Sequence, residues 1–397
     1  MLPFRIQVRM DFLSFSHLRW NFVFQRPQHI LSRCAREHRV FFWEEPVYTD
    51  SPRPGLKISR CEHDVVVVVP ELPTGTSEQQ SFESQRSMLL QLLSEQAIED
   101  PVLWYYNPMA ISFTNNLKPI ATVYDCMDEL SAFRGAPPGL RAAESELFRA
   151  SDLVFTGGQS LYESKRNHHP SVHLFPSSID FKHFALAREP QDDPADQAQL
   201  PHPRLGYCGV IDERMDTDLL ARIADLRPEW RIVMVGPVVK ISDADLPRRP
   251  NIEYLGSKSY KELPAYVAGW DVALLPFALN ESTRFISPTK TPEYLAAGKP
   301  VISTPIADVI RPYGELGLVS IAATVEEFVA AAEHALHPEI EQVRAHQRKI
   351  DAFLARNSWD STWSRMRKLV LDVAAERRAP VVSSYDAGAK TNLISAD

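Results

Sequence analysis

The run at 287–303, SPTKTPEYLAAGKPVIS, holds the residue types best suited to chemistry. Ser287, Pro288 and Thr289 form a polar loop that leads into Lys290. Pro292 suits the first turn of a helix, where its missing N–H would be unpaired in any case, and Thr291 is the expected N-cap. Gly298 stops that helix, and 300–303 opens an apolar run of the kind buried in a parallel sheet. Free backbone N–H groups, the positive end of a helix dipole and the Lys290 ammonium therefore converge on one point, which describes a phosphate site. Glu293, about one helical turn away, puts a carboxylate where the hydroxyls of a ribose would lie.

Other chemistry-bearing residues lie in the first half. His17 falls just beyond the predicted strand 12–15 and should project into a cleft together with Arg19 and Trp20. Asp125, Asp128 and Glu129 follow the predicted strand 122–124, and three acids at one strand end seldom serve packing alone. Asp128 is a candidate for binding or polarising an acceptor hydroxyl, with capping of the next turn as the alternative, and capping fits Asp125 as well. A helix expected from Pro27 carries the apolar stripe Ile30, Leu31, Cys34 and Ala35, with Arg26, His29, Arg33 and Arg36 elsewhere. Its cationic face, preceded by Trp20, Phe22 and Phe24, suits an acceptor or an anionic membrane surface; a solvated helix face is the alternative. His168 and His169 have no third ligand at metal spacing, so no metal is expected.

These residues need elements to position them. A chain of 397 residues with 44% apolar content exceeds one core and fits two domains. The net charge of -8 excludes a binder of nucleic-acid backbones, which relies on clustered Lys and Arg. Cys34, Cys61, Cys126 and Cys208 lie far apart, which indicates neither a zinc site nor a disulfide framework and fits a reducing cytoplasm. The apolar run at 65–69 is far too short to span a bilayer, and the start of the chain lacks a signal-peptide pattern. The expectation is a soluble cytoplasmic protein, with peripheral contact at the inner face of the membrane as an added option.

Strand-like runs at 12–15, 40–43, 65–69, 102–105, 122–124 and 153–155 alternate with helical patterns. The alternation resumes at 204–210, 231–236, 252–255, 272–275 and 301–302. Helices are expected at 325–336, 339–354 and 359–377. The segment 185–203, rich in Asp, Gln, Pro and Ala, reads as an exposed linker. The divisions are an acceptor domain at 1–184, the linker at 185–203 and a donor domain at 204–357. A helix at 358–378 returns to the first domain, and a disordered tail follows at 379–397. The fold class is α/β, with two doubly wound domains facing each other across a cleft, and ligands bind at the carboxyl ends of such sheets.

In its motifs the 287–303 segment resembles the nucleotide-sugar site of GT-B glycosyltransferases, in particular the retaining superfamily with a Glu-x7-Glu motif followed by an Ala-x-Gly-x-Pro-Val type of strand. Other signatures are similar and fall in the family's order: FPSSIDFKHF at 175–184, LGYCG at 205–209, VMVGP at 233–237, NIEYLG at 251–256 and WDVALLPF at 270–277. The segments around His17 to Trp20, Gln25 to His29 and Tyr124 to Glu129 loosely resemble the teichuronic-acid-type subgroup.

The resemblance implies two Rossmann-like domains and a nucleoside-diphosphate sugar as co-substrate, with no metal or other cofactor. Ser287, Pro288, Thr289 and Lys290 would hold the diphosphate, Glu293 the ribose, Gly209 the turn beneath them, and the loop at Gly256 the nucleobase. Two phosphates call for a second cation, and Arg214 stands where relatives carry one; a surface pair with Glu213 or Asp216 is its alternative. The family's front-face mechanism implies retention, with Lys290 and Arg214 stabilising the leaving diphosphate. An inverting transferase with His17 or Asp128 as general base is the other enzymatic reading. Arg19, Trp20, Arg26 and Asp128 would meet a glycan, lipid-linked or small-molecule acceptor in polysaccharide or glycoconjugate synthesis. One position departs from the pattern: the first family glutamate, a donor-sugar contact in relatives, is Phe285, leaving Asn280 or Glu281 to replace it. The same fold also serves nucleotide-sugar 2-epimerases and non-catalytic nucleotide binders.

Overall fold

Short runs of β-branched and aromatic residues build two sheets in the computed structural model, which describes residues 9–379. The first comprises β1 (Asp11–Ser16), β2 (Arg39–Glu44), β3 (Val47–Thr49), β4 (Gly55–Arg60), β5 (Val66–Pro73), β6 (Val102–Tyr105), β7 (Ala121–Cys126), β8 (Leu153–Thr156) and β9 (Val172–Leu174). They lie in the order β3-β5-β2-β1-β6-β7-β8-β9, all parallel, with β4 running antiparallel along β5. The second comprises β10 (Arg204–Cys208), β11 (Arg231–Val235), β12 (Ile252–Gly256), β13 (Val272–Leu275), β14 (Val301–Ser303) and β15 (Ser320–Ile321). Its order, β12-β11-β10-β13-β14-β15, is parallel throughout. Strand order reverses between β1 and β6 in one sheet and between β10 and β13 in the other, and such switch points leave a crevice at the carboxyl ends of the strands.

Successive strand residues feed opposite faces of the first sheet, as a period of two requires. Phe12, Val40, Phe42 and Trp104 belong to one cluster; Leu13, Phe41, Trp43 and Tyr105 belong to the other. Four helices matter for the site: α1 (Arg26–Cys34), α2 (Gln159–Lys165), α3 (Lys290–Ala296) and α4 (Trp359–Arg378). The Ser358 hydroxyl caps α4 by accepting from the Ser361 amide. From that start α4 buries Trp359, Trp363, Met366 and Val370 in the first sheet's core. Arg377 anchors its far end to Asp152 at 2.6 Å. The first and last described elements, β1 and α4, therefore pack in the same half.

Several expectations are corrected. The strands β3, β4, β9 and β15 escape the sequence pattern because β3 and β9 have no fully buried residue, β4 runs exposed along an edge, and β15 has two residues. The helix expected from Pro27 starts at Arg26, because the Gln28 side chain reaches back to accept from the Gln25 amide at 3.1 Å. The 185–203 segment is not a simple exposed linker. Gln197 is buried, donating to the Tyr266 carbonyl and accepting from the Trp270 indole, while Asp196 accepts from Tyr266 and Lys258. Polar side chains thus bind it to the second half without the apolar period that would reveal it. Apart from Ala379, the expected tail lies outside the described residues.

Candidate active site

The cleft is built where the loops after β1, β7, β10 and β13 meet α3. Gly209 follows β10 with φ of +155°, and a Cβ there would stand 2.7 Å from the Tyr207 hydroxyl and 3.2 Å from Lys290 Cε. A side chain at 209 would therefore clash with Tyr207 and crowd Lys290. Below it, the buried Tyr294 hydroxyl of α3 accepts from the Cys208 amide at 2.7 Å, fixing α3 against the end of β10. Thr289, not Thr291, precedes α3, and the Thr291 hydroxyl is buried without a hydrogen-bond partner. Pro292 still lies in the first turn, where its lack of N–H costs nothing.

Lys290 Nζ lies 3.2 Å from Glu293 Oε2 and 3.2 Å from Thr289 Oγ1. Burial opposes the charge on both side chains. Glu293 outweighs it for Lys290, whose pKa is raised; for Glu293, burial outweighs Lys290 and the carboxyl is also raised. Two cavities meet at Lys290. A cavity of about 880 Å³ reaches Glu293, Lys290, Ser257 and Tyr260 from the second half and Phe24 and His29 from the first. A smaller one of about 120 Å³ is lined by Asp128, Arg26, Arg214, Ser287, Pro288 and Thr289, together with Lys290. Gly209 and Lys290 line both. The larger has the size of a small-molecule site. Gly256 itself, with φ of +69°, lies beside the large cavity, whose wall its neighbours Ser257 and Lys258 form.

Arg214 does reach the smaller cavity, but its partner is neither Glu213 nor Asp216. Its Nε and Nη2 bind the two oxygens of Asp212 at 2.9 and 2.7 Å, and its guanidinium lies over the Phe133 ring of the first half. Burial would lower the guanidinium pKa, and Asp212 reverses that. Facing it, Asp128 has its carboxyl raised to about 6 by burial, with Arg214 and Arg26 pulling the other way. His17 sits at the end of β1, its Nδ1 buried without a partner. Burial holds its pKa down to about 4, so the ring is neutral near pH 7.

The other first-half candidates are occupied differently from the expectation. Arg19 turns to Glu44 at 3.0 Å and to the Glu45 and Pro46 carbonyls. Trp20 is buried against Phe42, though an edge reaches the large cavity. Arg26 is buried, its Nε and Nη2 on Asp125 Oδ1 at 3.0 and 2.7 Å and its Nη1 on the Phe175 carbonyl at 2.7 Å. Asp125 is thus an internal counter-ion and not a cap. The cationic face read for a membrane surface is also corrected: Arg26, His29 and Arg33 are buried, because α4 covers α1 and Asp360 pairs with Arg33 and Arg36.

Phe285 packs against the first half's core under Arg284. Neither proposed substitute replaces its missing carboxylate. Asn280 bonds within its own turn and to the Glu213 carbonyl, and Glu281 is 80% exposed. Sequence reasoning also missed the aromatic wall of the large cavity. There His183 stacks on Tyr260 at 4.3 Å and Phe24 meets it at 4.8 Å, contributed by three separate segments with no shared motif. Asp308, another omission, reaches from the second half to accept from the Ser160 amide at the start of α2, at 2.9 Å. Among the described residues, no helix is long and apolar enough to cross a membrane.

Comparison with known proteins agrees with this fold. Residues 202–338 match the family model for glycosyl transferases of group 1. A curated relative, the Bacillus subtilis (strain 168) protein TuaH, named as a teichuronic acid biosynthesis glycosyltransferase, is 25% identical over 220 residues. That match covers 51% of this chain and spans only 55% of the relative's length. Among solved structures, sucrose-phosphate synthase from Thermosynechococcus elongatus superposes with a TM-score of 0.67 at 13% identity, covering 93% of this chain and all of the other. The catalytic domain of starch synthase IV from Arabidopsis thaliana, bound to ADP and acarbose, gives 0.65 at 11% identity, covering 93% and 100%. A trehalose-6-phosphate protein from E. coli bound with UDP-2-fluoro glucose gives 0.66 at 13% identity, covering 92% and 99%. The fold is GT-B, and within its second half residues 202–338 match the group 1 glycosyl transferase family model.

Proposed function

We propose that this chain transfers a sugar from a nucleoside-diphosphate sugar to a hydroxyl acceptor, with the diphosphate on Lys290, Arg214 and the start of α3. The observation that carries the reading is the position of Lys290: a partly buried ammonium at a helix N-terminus, shared by two cavities, with Glu293 3.2 Å away. The large cavity would take the nucleoside, with Glu293 on the ribose, and the small one the sugar. Departure of the diphosphate develops negative charge, and two cations already held in place lower that barrier without reorganising. No metal or cofactor enters the scheme. The acceptor would approach from the first half, past Asp128 and the neutral His17.

Retention, with the leaving diphosphate taking the acceptor proton, is the stereochemistry we propose, on the strength of the family resemblance. The name of the curated relative supports a polysaccharide or glycoconjugate acceptor. Thermal stabilisation by UDP, GDP, dTDP or ADP is the first test, since ligand at a hundred times its Kd adds about 2.7 kcal/mol. Glu293→Gln should then weaken the nucleoside diphosphate that binds by more than it weakens the analogue lacking ribose hydroxyls. Equal losses would remove Glu293 from the ribose.

A further inference from the structure

We propose that Gly158 and Asp308 form a contact through which the first half steadies the 287–289 loop of the second, so that affinity for the diphosphate depends on this seam, an assignment that rests on the donor reading above. The chain crosses between the halves twice, and the crossings run side by side: Ile179 is bridged to Ser358, and Asn357 Nδ2 donates to the Ser177 carbonyl at 3.3 Å. Two adjacent crossings form a hinge, and the remaining contacts between the halves decide how they sit about it. One of those contacts reaches the donor loop itself. Ser177 Oγ donates to the Ser287 carbonyl at 3.0 Å, and both residues line the smaller cavity together with Gly157.

Gly158 lies at the tightest point of this seam. A Cβ there would overlap Asp308 Oδ2 and stand 2.7 Å from the Ser287 Cβ, both of the second half. Backbone conformation does not call for a glycine, because φ of −163° and ψ of 167° are extended angles that any residue adopts. A side chain is thus excluded only by the approach of the other half. Asp308 completes the contact by accepting from the Ser160 amide of α2 at 2.9 Å, and Arg311 pairs with Glu163 of the same helix at 3.2 Å. Burial pushes the Asp308 carboxyl up, so exclusion of water opposes the contact that the Ser160 amide favours. Such a balance suits a contact that forms and breaks. When formed, it holds Ser287 at the head of the 287–289 loop, and a bound diphosphate need not supply the ordering of that loop.

The test uses the full chain and its Gly158→Ala, Asp308→Ala and Asp308→Asn variants. UDP, GDP, dTDP and ADP are titrated calorimetrically into each, and small-angle X-ray scattering gives the radius of gyration with and without them. Gly158→Ala should have the larger radius and bind the nucleoside diphosphate that the wild type binds roughly five- to fiftyfold more weakly, the usual range of coupling between sites. Asp308→Ala should weaken binding in the same direction. Asp308→Asn should stay within about threefold of the wild type, because its amide oxygen still accepts from Ser160. Wild-type affinity in both Gly158→Ala and Asp308→Ala would overturn the assignment, even with a lowered thermal midpoint, because the seam would then only stabilise the fold. Equal losses in the two Asp308 variants would overturn it as well, and that pair decides the matter if Gly158→Ala fails to fold. A wild type that binds none of the four compounds would remove the donor reading and the coupling with it. The contact itself then stands or falls on scattering, where an unchanged radius in Gly158→Ala overturns it.

Discussion

Two helices in this molecule begin with a cation and carry a proline in the first turn, α1 with Arg26 and Pro27 and α3 with Lys290 and Pro292, and both cations line the smaller cavity. Their surroundings differ in kind. The Arg26 fork is bound to Asp125 on β7 and to the Phe175 carbonyl, far along the chain, so its donors hold the first half together. The partners of Lys290 are Thr289 and Glu293, its immediate neighbours, so the ammonium can exchange one of them for a ligand without disturbing distant structure. A planar guanidinium suits a fixed bidentate role, and a single ammonium on a flexible stem suits an exchangeable one. Residue type alone does not separate the two roles; the partners do.

The largest expected effect breaks the structural side of this comparison. Asp125→Ala leaves the Arg26 charge buried without its counter-ion, which should cost about 3–5 kcal/mol of folding stability in urea unfolding. A loss under about 1 kcal/mol, the scale of a surface pair, would mean that Arg26 is no strut. A smaller effect sharpens the ligand side. Asp128, raised to about 6, shares the cavity with Arg214 and Lys290 and when ionised repels a diphosphate. Lowering the pH from about 7.5 to 5.5 should therefore tighten sugar-nucleotide binding by about three- to tenfold, within the 1.4 kcal/mol of one pKa unit. Asp128→Asn should bind tightly at both pH values; an undiminished slope in that variant would assign the effect elsewhere. The stability linkage has the same sign. Because the folded carboxyl titrates higher than the unfolded one, its protonation favours the folded state as pH falls through 6, and that contribution is absent above 6.

Much of the fold was legible because buried parallel strands are nearly continuous apolar runs, as at Val102–Tyr105 and Val272–Leu275, and α3 followed from Pro292 and Gly298. What stayed hidden depends on contacts between distant segments. Arg26 and Asp125 carry no local mark of being partners, and the docking of Gln197 onto Trp270 is polar and without period. Arg214 was found as a cation, but Asp212 as its partner lies within the same loop, where sequence offers Glu213 and Asp216 equally well. Phe285 was legible as a departure from the family pattern; its seat in the opposite half was not.

The central claim is that Lys290 is the exchangeable cation of a donor site. Its direct test is calorimetric titration of UDP, GDP, dTDP and ADP into the wild type and Lys290→Ala, with Lys290→Ala/Glu293→Gln as a control that leaves no unpaired carboxylate. The account predicts that the nucleoside diphosphate bound by the wild type loses roughly 1.5–3 kcal/mol of affinity in Lys290→Ala, the value of a hydrogen bond to a charged group, and at least as much in the double variant, which also lacks the ribose carboxylate. Affinity unchanged in both would contradict it.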